Sequence, residues 1–305
     1  NRTFDRDGNV IPYVGAASGF NRQAFRTIAI PTDRYMFAGK GDFEIAPDHR
    51  GYIEATYVTT TTKAVLEPFP MDSTDAYPAT GGNVPVEFLV NGALVRNPLV
   101  PDGIYNLLTR RNADGALVID SFSRRLSEVG NRGSDATTDT FRVASGVKGT
   151  LFKAWDYDVY GIYGVSKRVD ISGGKFNAQS FRQALEAITD TDDVNGNGNV
   201  TEAICRDPEA RAQGCVPISI YGFGAISPGA LNWIQAPANL NTFVTQKIVG
   251  ASASGEVFQL PAGPIGLAFG GEYRAEYSRS EFDALQQSGL NGGNVTPRTE
   301  GGFNV

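Results

Sequence analysis

The chain of 305 residues is 41% hydrophobic, 20% charged and 10% aromatic, carries 36 Gly and 12 Tyr, and has a formal net charge of −6. That acidic balance, with no Lys/Arg block longer than a pair, excludes a nucleic-acid binder, which needs a concentrated basic surface to neutralise phosphates. No run approaches the ~20 apolar residues of a membrane-spanning helix, but a membrane barrel is not excluded, because its lipid face takes only every second residue.

In chain order, residues 34–45 and 52–62 read as a first hairpin, joined by the turn APDHRG. A long connection over 63–139 follows, with β-like runs at 86–95 and 117–129 that form a hairpin above the wall or extend it. Residues 140–151 place Phe141, Val143, Val147 and Leu151 on one face of a strand, against Arg142 and Lys148 on the other. After a tight turn at 152–154, residues 155–165 set Trp155, Tyr157, Val159, Tyr163 and Val165 against Asp156 and Asp158.

A second long connection spans 168–240. Within it Asn177 caps a short helix whose apolar stripe is Phe181, Ala184, Leu185 and Ile188, with Arg182 and Glu186 spaced as an i,i+4 ion pair. Asp193, Asn195, Asn197 and Asn199 follow the spacing of a calcium loop, with Gly198 at its sharp turn. The position where a bidentate acid closes such a loop is Ile204, so Glu202 or Asp192 has to substitute. A flexible Asn/Gly loop has the same composition. Cys205 and Cys215, with the single histidine far away at His49, suit a local disulfide in an oxidising compartment better than a metal site. Tyr221, Phe223 and Trp233 offer rings for stacking on a ligand, or simply pack the loop.

The β-rich segment 243–260 meets residues 265–277 across a Pro-Ala-Gly-Pro turn. Here Ile265, Leu267, Phe269, Tyr273, Ala275 and Tyr277 alternate with Glu272, Arg274 and Glu276. Thirteen alternating residues exceed an ordinary strand and reach the ~9–11 that a tilted strand needs to cross a bilayer. Residues 301–305 begin another strand, which makes about eight to ten in all. Tight turns on one side and long loops on the other are the asymmetry of an outer-membrane barrel. No basic-plus-apolar leader precedes Asn1, so a secretion signal has been removed or lies upstream.

No catalytic constellation is legible. His49 lacks a partnered nucleophile, and the carboxylate pairs Asp156/Asp158 and Glu272/Glu276 line one wet strand face, so the chain is read as a non-enzyme. The alternation Glu272, Arg274, Glu276 either guides solutes or forms a salt-bridge ladder.

The tracts SRRLSEVGNRGSDATTDTFRVASGVKG, WDYDVYGIYG, KFNAQSFRQAL, GCVPISIYGFGAISPGAL and LPAGPIGLAFGGEYRAEY resemble, in the same order, the TonB-dependent outer-membrane receptors of Caulobacter- and Xanthomonas-like bacteria. They cover over half of residues 123–305, and residues 1–122 are similar only in strand texture. The resemblance implies an all-β fold, an antiparallel transmembrane β-barrel of roughly 22 strands with a plugged lumen, of which this chain is a fragment. It also implies import of a scarce nutrient (a siderophore, a cobalamin-like molecule or an oligosaccharide) driven by the TonB complex through the plug. No counterpart of the plug stands in these residues. The expected surroundings are the lipid bilayer of the bacterial outer membrane. The alternative is a surface adhesion barrel that does not transport. No cofactor is expected beyond candidate calcium in the 193–202 loop.

Overall fold

Period-two alternation and a wealth of Thr, Val, Tyr and Phe favour long pleated strands over helices, because β-branched and aromatic side chains pack well on a pleated surface. The computed structural model describes residues 1–5, 8–152, 154–291 and 295–305. Its largest element is a seven-stranded antiparallel sheet: β1 (Thr32–Ala46), β2 (His49–Pro68), β3 (Asn131–Leu151), β4 (Trp155–Gly173), β5 (Ala238–Leu260), β6 (Gly263–Phe282) and β7 (Thr299–Asn304). Each strand pairs with its neighbours in chain order, with β1 and β7 at the edges. The fold is therefore mostly β, built on one antiparallel meander.

Short turns join β1 to β2, β3 to β4 and β5 to β6. At the first, Asp48 takes a positive φ of 65°. Asp and Asn tolerate that conformation better than bulkier residues, which explains a two-residue reversal at Pro47-Asp48. The opposite ends of the strands carry residues 69–130, 174–237 and 283–291, which fold back on one another as a cap.

Three expectations are corrected. The sheet has seven strands among the described residues, not eight to ten. Its strands run further than alternation reads, so the long connections begin at residues 69 and 174 instead of 63 and 168. The run at 117–129 is not one strand: Val118–Ile119 pairs with Val84–Pro85, and Ser123–Arg125 with Pro70–Asp72. Nor is the 86–95 run a single strand in a hairpin with 117–129: it folds on itself, Glu87–Val90 against Ala93–Arg96, and stands in the cap and not in the sheet.

The hydrophobic core lies in the cap. Met71, Leu126, Phe176, Phe181, Ile218 and Ile234 are buried together, and few residues of the sheet join them. Helix α1 (Ala178–Leu185) anchors this core. Asn177 Oδ1 accepts the backbone N–H groups of Gln179 and Ser180, and Phe181, Ala184 and Leu185 point inward, as their spacing predicts. Ile188 instead continues into the short strand Ala187–Thr189. Two more helices, α2 (Pro208–Ala212) and α3 (Pro228–Ile234), start at the side-chain caps Asp207 and Ser227 with proline in the first turn.

Cap and sheet meet at Glu67, at the cap end of β2. Its buried carboxylate accepts both Arg26 Nε at 2.8 Å and Arg26 Nη2 at 3.0 Å, with Arg132 at 3.1 Å and Arg125 at 3.7 Å. One carboxylate thus ties together the segment before β1, the first long connection and β3.

Candidate functional site

The register sorts the sheet into two chemically different faces. On one, Phe37, Tyr57, Phe141 and Val165 share a row near the cap, and Gly149, Tyr157, Ala253 and Phe269 share one near the turns. Between the Phe141 row and the Leu151–Trp155 row, the strands β3, β4 and β6 place no charged residue on this face. Lys247 of β5, beside Tyr163 and Ala275, is the one charge in the band among the described residues. Ten residues at ~3.3 Å each give about 33 Å along the strand, or about 25 Å for a strand tilted by ~40°. These side chains are not tucked into a core: Leu267 is 50% exposed, Phe269 61% and Phe37 67%.

The other face is polar. Arg142 and Lys148 of β3, Asp156 and Asp158 of β4, and Glu272, Arg274 and Glu276 of β6 all lie on it, as their alternation predicts. Arg274 bridges Glu272 at 2.9 Å and Glu276 at 3.8 Å, so the ladder exists. Gln246 donates to Glu276 at 2.7 Å, and Thr150 Oγ1 donates to Asp156 at 2.8 Å.

Tyr52, Gly146, Tyr160 and Gly250 alternate across neighbouring strands in a single row of this face. Each phenol leans over a neighbouring glycine. A Cβ at Gly146 would lie 2.5 Å from Tyr52 Oη, and one at Gly250 2.5 Å from the Tyr160 ring. The space that glycine leaves lets Tyr52 reach Asp158 at 3.0 Å and Tyr160 reach Glu272 at 2.8 Å. Sequence reading missed this row, although its signal is the Gly-aromatic alternation itself. His49, at the turn end, has Nδ1 3.0 Å from Tyr157 Oη and meets no nucleophile.

In the cap, a cleft of about 840 Å³ opens between α1, the 78–85 segment, residues 110–113 and the start of α2. Arg110, Arg111, Arg182 and Arg206 line it, against Glu186 and Asp207. Arg206 Nε donates to Glu186 at 3.1 Å and Tyr77 Oη donates to the same carboxylate at 3.2 Å. The predicted Arg182–Glu186 pair is therefore not formed. The Arg182 guanidinium is exposed at the mouth without an ion-pair partner among the described residues. Burial, with Glu186 beside it, pushes the Tyr77 phenol well above its usual range. The Gln183 amide and the backbone N–H groups of Ala210 and Glu209 hold the Asp207 carboxyl below its own.

No known protein family, curated protein or solved structure matches the chain.

The three aromatic candidates do not gather around this cleft. Tyr221 packs on the core and meets Phe4 edge-on at 5.9 Å. Trp233 Nε1 donates to Ser180 O at 3.0 Å, bracing α3 against α1. Phe223 is 69% exposed. Among the described residues no three His, Cys, Asp or Glu side chains converge as a metal cluster. Asp193, Asn195, Asn197 and Asn199 occupy the tip of the hairpin formed by Ala187–Thr189 and Ala203–Cys205.

Cys205 and Cys215 form a disulfide, with Cα atoms 6.2 Å apart, that ties this hairpin to the end of α2. Closing so short a loop stabilises by about 2.7 kcal/mol on the chain-entropy account. Replacing both cysteines by serine is expected to lower the melting temperature of the cap and to leave the sheet intact. Circular dichroism with and without dithiothreitol checks this: the reductant should shift the parent protein and leave the double variant unmoved.

Proposed function

We propose that this chain forms wall and cap of an outer-membrane import receptor of the TonB-dependent kind, whose cap captures a small polar ligand. One observation carries the reading: a band about 25 Å tall, uncharged but for Lys247, covers one face of consecutive strands, while charges line the other. A soluble sheet buries its apolar face under a second layer, and here the packed core stands in the cap instead. Hydrocarbon is the solvent that suits such a face, provided both sheet edges pair with further strands, since unpaired backbone groups cannot face lipid.

Capture by the cap is favoured over surface adhesion by its concave cleft, within the ~300–1,000 Å³ typical of small-molecule sites. Its arginines favour, among siderophores, cobalamin-like molecules and oligosaccharides, a ligand that carries negative charge. Energy coupling through the TonB complex belongs to the plug that this reading requires.

Two measurements test the proposal on the full-length protein. Fractionation should recover it in the bacterial outer membrane. Calorimetric titration with ferric siderophores, cobalamin and oligosaccharides should find one class that binds. Arg182→Glu should then weaken the binding by about 10- to 100-fold, the worth of one charge-assisted hydrogen bond. Recovery in a soluble fraction refutes the membrane reading, and failure of every class to bind refutes import.

A further inference from the structure

The connection 190–202 is clamped at its neck and holds a buried carboxylate oxygen that no donor among the described residues reaches. Asp190 is 1% exposed. Its backbone N–H donates to Glu202 O at 2.9 Å, which closes the loop. Its Oδ1 accepts Val194 N–H, also at 2.9 Å, which turns the carboxylate into the first bend. Oδ2 remains buried without a hydrogen-bond partner. Burying a charged oxygen in that way costs free energy that a directly bound cation would offset.

The residues above Asp190 present oxygen after oxygen to the same bend. Asp193 Oδ1 accepts Gly198 N–H at 2.9 Å, Asn195 Oδ1 accepts Asn197 N–H at 3.1 Å, and Asn197 Oδ1 accepts Asn199 N–H at 2.7 Å. Positive φ values at Asp193, Gly196 and Gly198 coil the backbone tightly enough for this. Every one of these carbonyl-type oxygens gives one lone pair to the backbone and retains another. Glu202 Oε1 accepts the amides of both Asn195 and Asn197, which brings its carboxylate to the same bend.

All of these donors are hard oxygens, on a flexible loop, with no nitrogen or sulfur ligand among them. That set suits Ca²⁺, which takes 6–8 oxygens at variable geometry, better than Mg²⁺, which demands a strict octahedron. The twelfth position, Ile204, is buried and apolar, so the closing charge has to come from elsewhere.

We propose that residues 190–202 bind one Ca²⁺ through Asp190, Asp193, Asn195, Asn197, Glu202 and the Asn199 carbonyl, with Asp190 supplying from beneath the negative charge that residue 204 lacks. The three carboxylates do not converge beforehand, so the loop closes as the ion enters. Its role is structural: it stiffens the hairpin tip that the disulfide holds at the other end. The site stands whether or not the sheet spans a membrane.

Titrating CaCl₂ into the chelator-stripped, full-length protein in detergent tests it by calorimetry, alongside limited proteolysis within 190–202. The expected result is one Ca²⁺ per chain, with a Kd of about 10⁻⁴ to 10⁻³ M, as in extracellular modules, no comparable uptake of MgCl₂, and slower cleavage when calcium is present. Asp190→Asn keeps the shape and the Val194 bond and should weaken Ca²⁺ by about tenfold or more; Asp193→Ala should do the same. Circular dichroism checks that both variants fold. A folded parent protein that takes up no Ca²⁺, or an affinity that both substitutions leave unchanged, overturns the site. Loss in Asp193→Ala alone overturns the part assigned to Asp190.

Discussion

Replacing Val159 by Arg is expected to cost about 2–4 kcal/mol in a bilayer, enough to prevent stable insertion of the sheet. Val159 lies within the uncharged band, flanked in register by Val147 on β3 and Ala251 on β5. It is 48% exposed, so the larger side chain meets no steric barrier and only the surrounding solvent decides the outcome. The matched control is Ser252→Arg. Ser252 lies on the polar face, directly across from Asp158, where a new guanidinium finds a carboxylate and water. Urea unfolding of the full-length protein in lipid vesicles should show the first variant destabilised or uninserted and the second close to the parent. Equal effects of the two would mean that both faces meet the same solvent, and the membrane reading would fail.

That contrast was legible in residues 265–277 because alternation is sharpest where the two faces of a strand differ most in polarity. Strand ends were not legible for the same reason. Residues 131–139 (NRGSDATTD) are polar on both faces, carry no period, and join β3 through backbone pairing with β2 and β4. The cap shows a second limit. Helix α1 could be read because its cap and stripe are local, whereas the core it enters is assembled from Met71, Leu126, Ile218 and Ile234, far apart in the chain and without periodicity. The Arg182–Glu186 pair failed because spacing cannot reveal a competitor: Arg206 and Tyr77, distant in sequence, already hold that carboxylate. The freed Arg182 is what gives the cleft its available cation. Cys205 and Cys215 were readable because so short a separation between two cysteines leaves few alternatives.

Phe181→Ala should produce the largest loss in the cap, about 3–5 kcal/mol, from removal of a fully buried ring and the cavity it leaves. Phe181 is 0% exposed, and its ring packs edge-on at 5.3 Å against Phe176, which meets Phe69 in turn at 5.3 Å. A folded unit holds only ~5–15 kcal/mol of net stability, so this one truncation removes a large share. The opposite side of the same helix presents Gln179, Arg182 and Gln183 to the cleft, so loosening α1 should disperse the binding surface as well. The sheet, stapled strand to strand by its own ladders, should survive. Two observations then follow: proteolysis should release cap fragments from a protein that remains folded in vesicles, and any ligand bound by the parent should be lost. Phe223→Ala, at a ring already 69% exposed, should change neither. If Phe181→Ala unfolded sheet and cap together, the two would be one cooperative unit, and a cap that holds the cleft as a separately folded unit would no longer be tenable.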